Sequence, residues 1–343
     1  MVAGRVSTPI PLSVLDLVTV TQDATTAQAL QRSISLAQAA DELGYSRYWV
    51  AEHHNMPAVA STNPPVIIAA LGAHTQRIRV GSGGVMLPNH APYVVAEQFA
   101  LLEGLYPDRV DLGLGRAPGT DQRTAAALRR STDTLGVEEF PQHVLELMSW
   151  LGDNRLENPM SAQLAATPKG ETSPQVWLLG SSGYSAQLAG MLGLRYCYAH
   201  HFGQMDEVAV MEAYRNRFQP SPALAEPYAM VCTSVITAET PQQADWLAGP
   251  AKQMALGLRT NRLESVVSPE VAAQRGISPL DEQMMHQLPA TKFVGTPAEV
   301  ADDLQRLVDR TGVQELMVTA TTYDVQTRID TLRDVQQMGI STR

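Results

Sequence analysis

The sequence predicts an α/β chain folded as a (β/α)8 TIM barrel with insertions at its C-terminal mouth. Three observations carry this expectation. Short apolar runs alternate eight times with longer segments of helical period, the pattern of parallel strands joined by covering helices. Polar or glycine-rich groups sit at or near the C-terminal ends of several runs, where a parallel barrel builds its active face. At 343 residues, 44 % of them hydrophobic, the chain has the length and apolar material to close one such domain over 1–343.

Each element follows in order. The run IPLSVLDLV (10–18) is followed by TAQALQRSISLAQAADELG (26–44), where Leu30, Ile34 and Ala37 step by four and three and Gly44 supplies a stop. RYWVAE (47–52) precedes a helix near 63–75, IRVGSGGVML (78–87) precedes PYVVAEQFALLEGL (92–105), and RVDLGLG (109–115) precedes a helix near 138–152. QVWLLG (175–180) leads to YSAQLAGMLG (184–193), and RYCYAHHF (195–202) to DEVAVMEAYRNRF (206–218). YAMVCTSVIT (228–237) leads to PQQADWLAGPAKQMALGL (241–258), and ELMVTATT (315–322) to VQTRIDTLRDVQQMG (325–339).

Two stretches break the rhythm. Residues 260–295, rich in Pro, Ser and Gln, read as an irregular insertion between the seventh strand and its closing helix, TPAEVADDLQRLVDRTG (296–312). Residues 116–137 are too long for a plain βα turn and read as overhanging the same mouth.

A formal net charge of −10, with no basic cluster, excludes a nucleic-acid surface, because neutralising phosphates needs Lys and Arg gathered on one face. The start, MVAGRVSTPIPLSVLDLV, lacks a signal-peptide core and cleavage pattern. No apolar segment reaches the roughly 18 residues of a membrane-spanning helix. Cys197 and Cys232 each lie in an apolar run and read as buried thiols of a reducing cytoplasm. With no CxxC, no HxH on the first strand and no HExxH helix, no metal is expected.

Successive residues of a strand point to opposite faces, so only one of His53 and His54 should face the barrel axis, and only one of His200 and His201. The sequence leaves both choices open. In LLGSSGYSAQLAG (178–190), Ser181, Ser182 and Gly183 form a turn into a helix, where free N–H groups and hydroxyls suit a phosphate. An ordinary Ser-rich N-cap accounts for that segment equally well. Arg116, across the mouth, would balance the phosphate charge. In VGSGGVMLP (80–88), Ser82, Gly83 and Gly84 leave a nearly side-chain-free patch that a flat ring could approach, and a β-bulge is a compatible reading. GLGRAPG (113–119) has GxGxxxG spacing, one residue too long for a dinucleotide fingerprint.

Taken jointly, AEHH, NPPVIIAALGAHTQRIRVGSGGVMLPNHAP, AEQFALLEGLYPDRVDLGLGRAPGTD, LLGSSGYSAQLAGMLGLRYCYAHHF and FVGTPAEVADDL resemble the bacterial luciferase-like flavin monooxygenases over about residues 10–339. The resemblance implies a barrel that binds FMN at its mouth, with reduced flavin delivered by a separate reductase. O2 would react with that flavin to give a peroxyflavin that oxygenates a small organic substrate. It further implies that His53 is the catalytic histidine, with Glu52 and His54 as its neighbours, and that Ser82 and Gly83 lie beside the isoalloxazine ring, where the family often has a non-proline cis peptide. Gly115 and Arg116 would flank the flavin, and Ser181, Ser182, Gly183, Tyr184 and Ser185 would form the phosphate loop. Light-emitting members carry a cysteine at the position of Gly115 and a glutamate at that of Ser181, so the resemblance is to the non-luminous branch. A deazaflavin (F420)-dependent oxidoreductase and a noncatalytic flavin-binding protein are the alternatives. A homodimer is also implied, and NPPVIIAALGAHT and YVVAEQFALLEGLY are more apolar than one buried stripe requires.

Overall fold

In a computed structural model that describes residues 8–129, 138–153, 155, 163–287 and 290–342, the apolar runs become eight parallel strands. They are β1 (Leu12–Asp16), β2 (Arg47–Val50), β3 (Arg79–Met86), β4 (Val110–Gly115), β5 (Gln175–Gly180), β6 (Arg195–Ala199), β7 (Ala229–Thr237) and β8 (Glu315–Thr319). Each pairs with the next, and β8 pairs with both β7 and β1, which closes the ring. Because such strands are covered on both faces, they read as continuous apolar runs, and β7 is buried at every position.

Helices α1 (Thr26–Glu42), α2 (Pro64–His74), α3 (Pro92–Leu105), α4 (Gln122–Arg129), α5 (Phe140–Trp150), α6 (Gly183–Leu192), α7 (Glu207–Arg217) and α8 (Pro241–Thr260) follow the first seven strands. After α9 (Pro269–Arg275) and α10 (Pro279–Gln287) come α11 (Pro297–Thr311), which precedes β8, and α12 (Val325–Gln337), which follows it. Starts are set locally. Thr25 with Gln28 and Thr296 with Glu299 form capping boxes at α1 and α11, and Gly312, at φ +60°, closes α11. Among the described residues no helix is long and apolar enough to cross a membrane.

Among its described residues the stretch 260–295 is only partly irregular. It holds α9 and α10, and Phe293–Gly295 adds a short strand parallel to β7. Pro and Ser here start helices: Ser268 caps α9 with Pro269 behind it, and Pro279 opens α10. Within 116–137, α4 is likewise regular, its first turn capped by Asp121, which accepts from the N–H groups of Arg123 and Thr124. Residues 130–137 and the first seven lie outside the described residues.

Inside the barrel, Leu15, Trp49, Ala51, Trp177, Cys197, Met230, Cys232 and Met317 pack as one cluster. Both cysteines are free and buried, and burial pushes their thiols up. Below this layer, at the N-terminal ends of the strands, a polar plug closes the barrel. Arg47 Nε donates to Glu315 Oε1 at 2.9 Å and its Nη1 to Asp111 Oδ2 at 2.8 Å, while Arg79 Nε donates to Asp111 Oδ1 at 2.8 Å. Trp49 Nε1 also donates to Asp111, Tyr228 Oη to Glu315, and the Ser13 hydroxyl bonds Glu315. The opposite end of the barrel is built differently.

Candidate active site

The β2 strand stops at Val50, so Glu52, His53 and His54 leave the ladder on a loop at the C-terminal mouth. Glu52 is fully buried. Its Oε1 lies 2.8 Å from Nε2 of His54 and 2.8 Å from Nε2 of His90, and its Oε2 accepts the Met86 N–H at 2.9 Å. An ionised carboxylate only accepts, so both ring nitrogens donate. Burial alone would raise the Glu52 carboxyl, but the bonds from His90, His54 and Met86 outweigh it and hold its pKa below the usual carboxylate value. Glu52 and His54, expected beside His53 in the chemistry, are bonded to each other and to the end of β3, and neither bonds His53 among the described residues. His90 was not singled out from the sequence. Its signal is position alone, a histidine four residues past the end of β3.

His53 Nδ1 lies 3.2 Å from the Gly119 carbonyl. A carbonyl only accepts, so Nδ1 carries the proton and Nε2 keeps its lone pair. Burial holds the His53 pKa below the ordinary histidine value, against a smaller opposing pull from the Gly119 bond. The segment after β4 is strapped to its neighbours: Thr120 Oγ1 donates to the His54 carbonyl at 3.1 Å, and Asn89 Nδ2 to the Pro118 carbonyl at 2.8 Å.

The second histidine pair divides between two faces. His200 points outward, with Nδ1 2.9 Å from Thr233 Oγ1, its ring stacked on Phe293 at 5.9 Å, and Glu207 of α7 and Arg310 of α11 among its charged neighbours. His201 Nδ1 lies 3.2 Å from the Cys232 carbonyl, and His53 is among the charges it feels. Burial lowers both pKa values to about 4.

The glycine-rich strand needs its glycines for a reason not visible locally. A Cβ on Gly83 would come within 2.6 Å of Leu15 Cδ1 and 3.1 Å of Trp49 Cβ, and one on Gly115 within 2.8 Å of Met86 Sδ. A side chain at either position would therefore collide with Leu15, Trp49 or Met86, which is why the backbone stays bare there. The Gly83–Gly84 peptide is cis, and the pairing of β3 with β4 shifts register between Gly83 and Val85, the bulge that the sequence allowed. Ser82 turns outward, its hydroxyl donating to the Gly113 carbonyl at 2.9 Å and accepting the Gly113 N–H at 3.0 Å. Only its backbone is left for a ligand.

At the β5–α6 turn, Ser182 stands at the N-cap position in extended conformation but makes no side-chain bond to the first turn of α6. Most other helices here, including α1, α4, α7 and α11, do have such a bond. Ser181, Ser182 and Gly183 are half-buried, Tyr184 is exposed, and Ser185 is buried against Gly180, whose missing side chain makes room for it. Tyr196 Oη donates to the Gly180 carbonyl at 3.1 Å and holds the turn from below. The Arg116 guanidinium lies over the Tyr184 ring, 4.1 Å from its centroid, so the two segments that the sequence separated by 68 positions meet at one helix start.

A profile of the luciferase-like monooxygenases matches residues 10–315. The chain is 42 % identical over 320 residues to a luciferase-like monooxygenase of Escherichia coli (strain K12), covering 93 % of this chain and 94 % of that one. It is 35 % identical over 299 residues to the N-acetyl-S-alkylcysteine monooxygenase of Bacillus subtilis (strain 168), covering 87 % and 89 %. Among solved structures, apo-MsnO8 is similar at a TM-score of 0.87 and 34 % identity, covering 96 % of this chain and 98 % of that one. Two more distant structures share the barrel alone. They are the oxygenating constituent of 3,6-diketocamphane monooxygenase from Pseudomonas putida in complex with FMN, at a TM-score of 0.72 and 19 % identity over 96 % and 98 % of the chains, and an F420-dependent secondary alcohol dehydrogenase, at 0.68 and 16 % over 96 % and 99 %.

Proposed function

The chain belongs to the luciferase-like monooxygenase family, and from that premise we propose that it binds FMN at the barrel mouth and uses O2 to oxygenate a small organic substrate. The observation that carries the cofactor reading is the β5–α6 turn, where the N–H groups of the first turn take no side-chain cap from Ser182 and Arg116 stands over Tyr184. A helix start with unspent donors and a guanidinium beside it is chemically matched to a phosphate. Ser181, Ser182, Gly183, Tyr184 and Ser185 would hold that group, with Gly115 and Arg116 along the flavin and the backbone of Ser82 and Gly83 under its ring. FMN, reduced by a separate reductase, would supply the two electrons that activation of O2 requires.

The protein's part is to place and protect. His53, neutral and with Nδ1 pinned to Gly119, offers Nε2 to take or return a proton at the reacting centre. Glu52, bridged by His54 and His90, fixes the Met86 backbone and with it the end of β3. The apolar layer of Leu15, Trp49 and Trp177 beneath the mouth keeps water from the barrel interior.

Oxygen uptake with a flavin reductase and FMN, with 18O2 tracing into product, tests the reading. An N-acetyl-S-alkylcysteine, the compound class in the name of one relative, is the first substrate to assay. Label in the product is expected, and turnover with F420 in place of FMN would contradict it. A homodimer through α2 and α3 belongs to the same proposal, since Val66 is 68 % exposed and Leu105 62 %, with Val94 and Leu101 beside them. Light scattering at the single-chain mass of 37.2 kDa would contradict the dimer.

A further inference from the structure

We propose that His201 is a second imidazole of the active site, an unprotonated hydrogen-bond acceptor on the substrate side of the mouth, facing His53. The inference rests on the FMN reading for which side is the substrate's, and on the barrel for the rest.

In a ring of eight strands β2 and β6 stand opposite, four steps apart in either direction. Alternate residues of each strand line the inner cluster: Trp49 and Ala51 on the β2 line, Cys197 on β6. His53 and His201 continue those two lines past the strand ends, and the two rings lie near enough that a charge on His53, were it protonated, would lower the His201 pKa. His200, the neighbour, instead meets Thr233, Phe293 and the outer helices.

The two inward rings are prepared alike. Each has Nδ1 against a backbone carbonyl, Gly119 for His53 and Cys232 for His201, which leaves the proton on Nδ1 and the lone pair on Nε2. Neither Nε2 has a hydrogen-bond partner among the described residues. A polar atom with no partner costs free energy unless a ligand or solvent meets it. The residues proposed for the flavin come from β3, β4 and β5, one contiguous arc of the ring, and His201 begins the arc from β6 onward. Phe202, 60 % exposed, has its ring 4.6 Å from that of His201 at right angles. An acceptor beside an apolar wall fits a substrate that carries a neutral donor, a hydroxyl, thiol or amide N–H, next to an apolar group.

Carbethoxylation by diethylpyrocarbonate attacks unprotonated, accessible imidazole, and peptide mass spectrometry locates it. In the full chain without flavin at pH 7, His53 and His201 are expected to react and the buried His200 to lag, an internal control one residue away. With FMN at about one hundred times its Kd, His53 should slow about a hundredfold while His201 continues to react. His201 unreactive without flavin would overturn the inward placement, and His201 protected as fully as His53 would make it a flavin contact instead. Reaction of both histidines with no effect of FMN would remove the flavin reading and leave the inward placement of His201 standing. His201→Phe supplies a second measurement: the folded variant should keep FMN affinity within about twofold, well under the tenfold that about 1.4 kcal/mol represents. A larger loss would again place His201 against the flavin.

Discussion

The two ends of the barrel spend their polar groups in opposite ways. At the bottom, Arg47, Arg79, Asp111 and Glu315 are joined to one another, and Ser13, Trp49 and Tyr228 add further bonds. At the mouth, His53 and His201 each use one ring nitrogen on the backbone and keep the other without a partner among the described residues, and Ser182 gives the first turn of α6 no side-chain cap. A saturated network has nothing left to offer a ligand and serves the fold, whereas unspent donors and acceptors mark where a ligand belongs.

The sharpest way to break this contrast is to damage each end and ask what is lost. Arg47→Ala leaves Glu315 and half of Asp111 uncompensated in the interior, and breaking a buried pair from one side costs about 3–5 kcal/mol. Denaturant unfolding should show that loss, with FMN affinity retained in the fraction that folds. His53→Ala should do the reverse, leaving the unfolding midpoint nearly in place while oxygenation falls by about 10²–10⁴, the usual contribution of a general acid–base group. Unchanged turnover in that variant would return His53 to a merely structural histidine.

Much of this contrast is legible in the sequence, and the failures have physical causes. The strands could be read because both faces are covered, which makes β7 an unbroken apolar run. The helices within 260–295 are hard to read from the sequence because Ser268 and Pro269 carry the same chemistry at a helix start as in a loop. The need for glycine at position 83 is not legible locally, because Leu15 and Trp49, which a Cβ there would meet, arrive from two other strands. His90 was passed over because its partner Glu52 lies 38 positions earlier. Alternation along β6 puts His200 and His201 on opposite faces, but which face is inward is set by the packing of Cys197 inside the barrel and by contacts with β7 and the outer helices.

A smaller effect is the pH dependence that His200 contributes to stability. His200, with its folded pKa lowered to about 4 against an ordinary value of about 6.5, binds fewer protons when folded than when unfolded between those limits. Its contribution is therefore intact above about 6.5 and is lost as pH falls toward about 4. His200→Phe should flatten the dependence of unfolding midpoint on pH in that window without altering FMN binding. An unchanged slope would show that the ring is not held neutral.

The claim that the mouth is a flavin site turns on the phosphate, and Arg116 isolates it. Titrating FMN and riboflavin, which differ by that phosphate alone, into the chain and into Arg116→Ala measures it directly. A lost charge-assisted hydrogen bond is worth about 1.5–3 kcal/mol, so FMN should weaken by about ten- to a hundredfold while riboflavin holds its affinity. Equal weakening of both ligands would contradict the assignment, because Arg116 would then act through its stacking on Tyr184 and not through the phosphate.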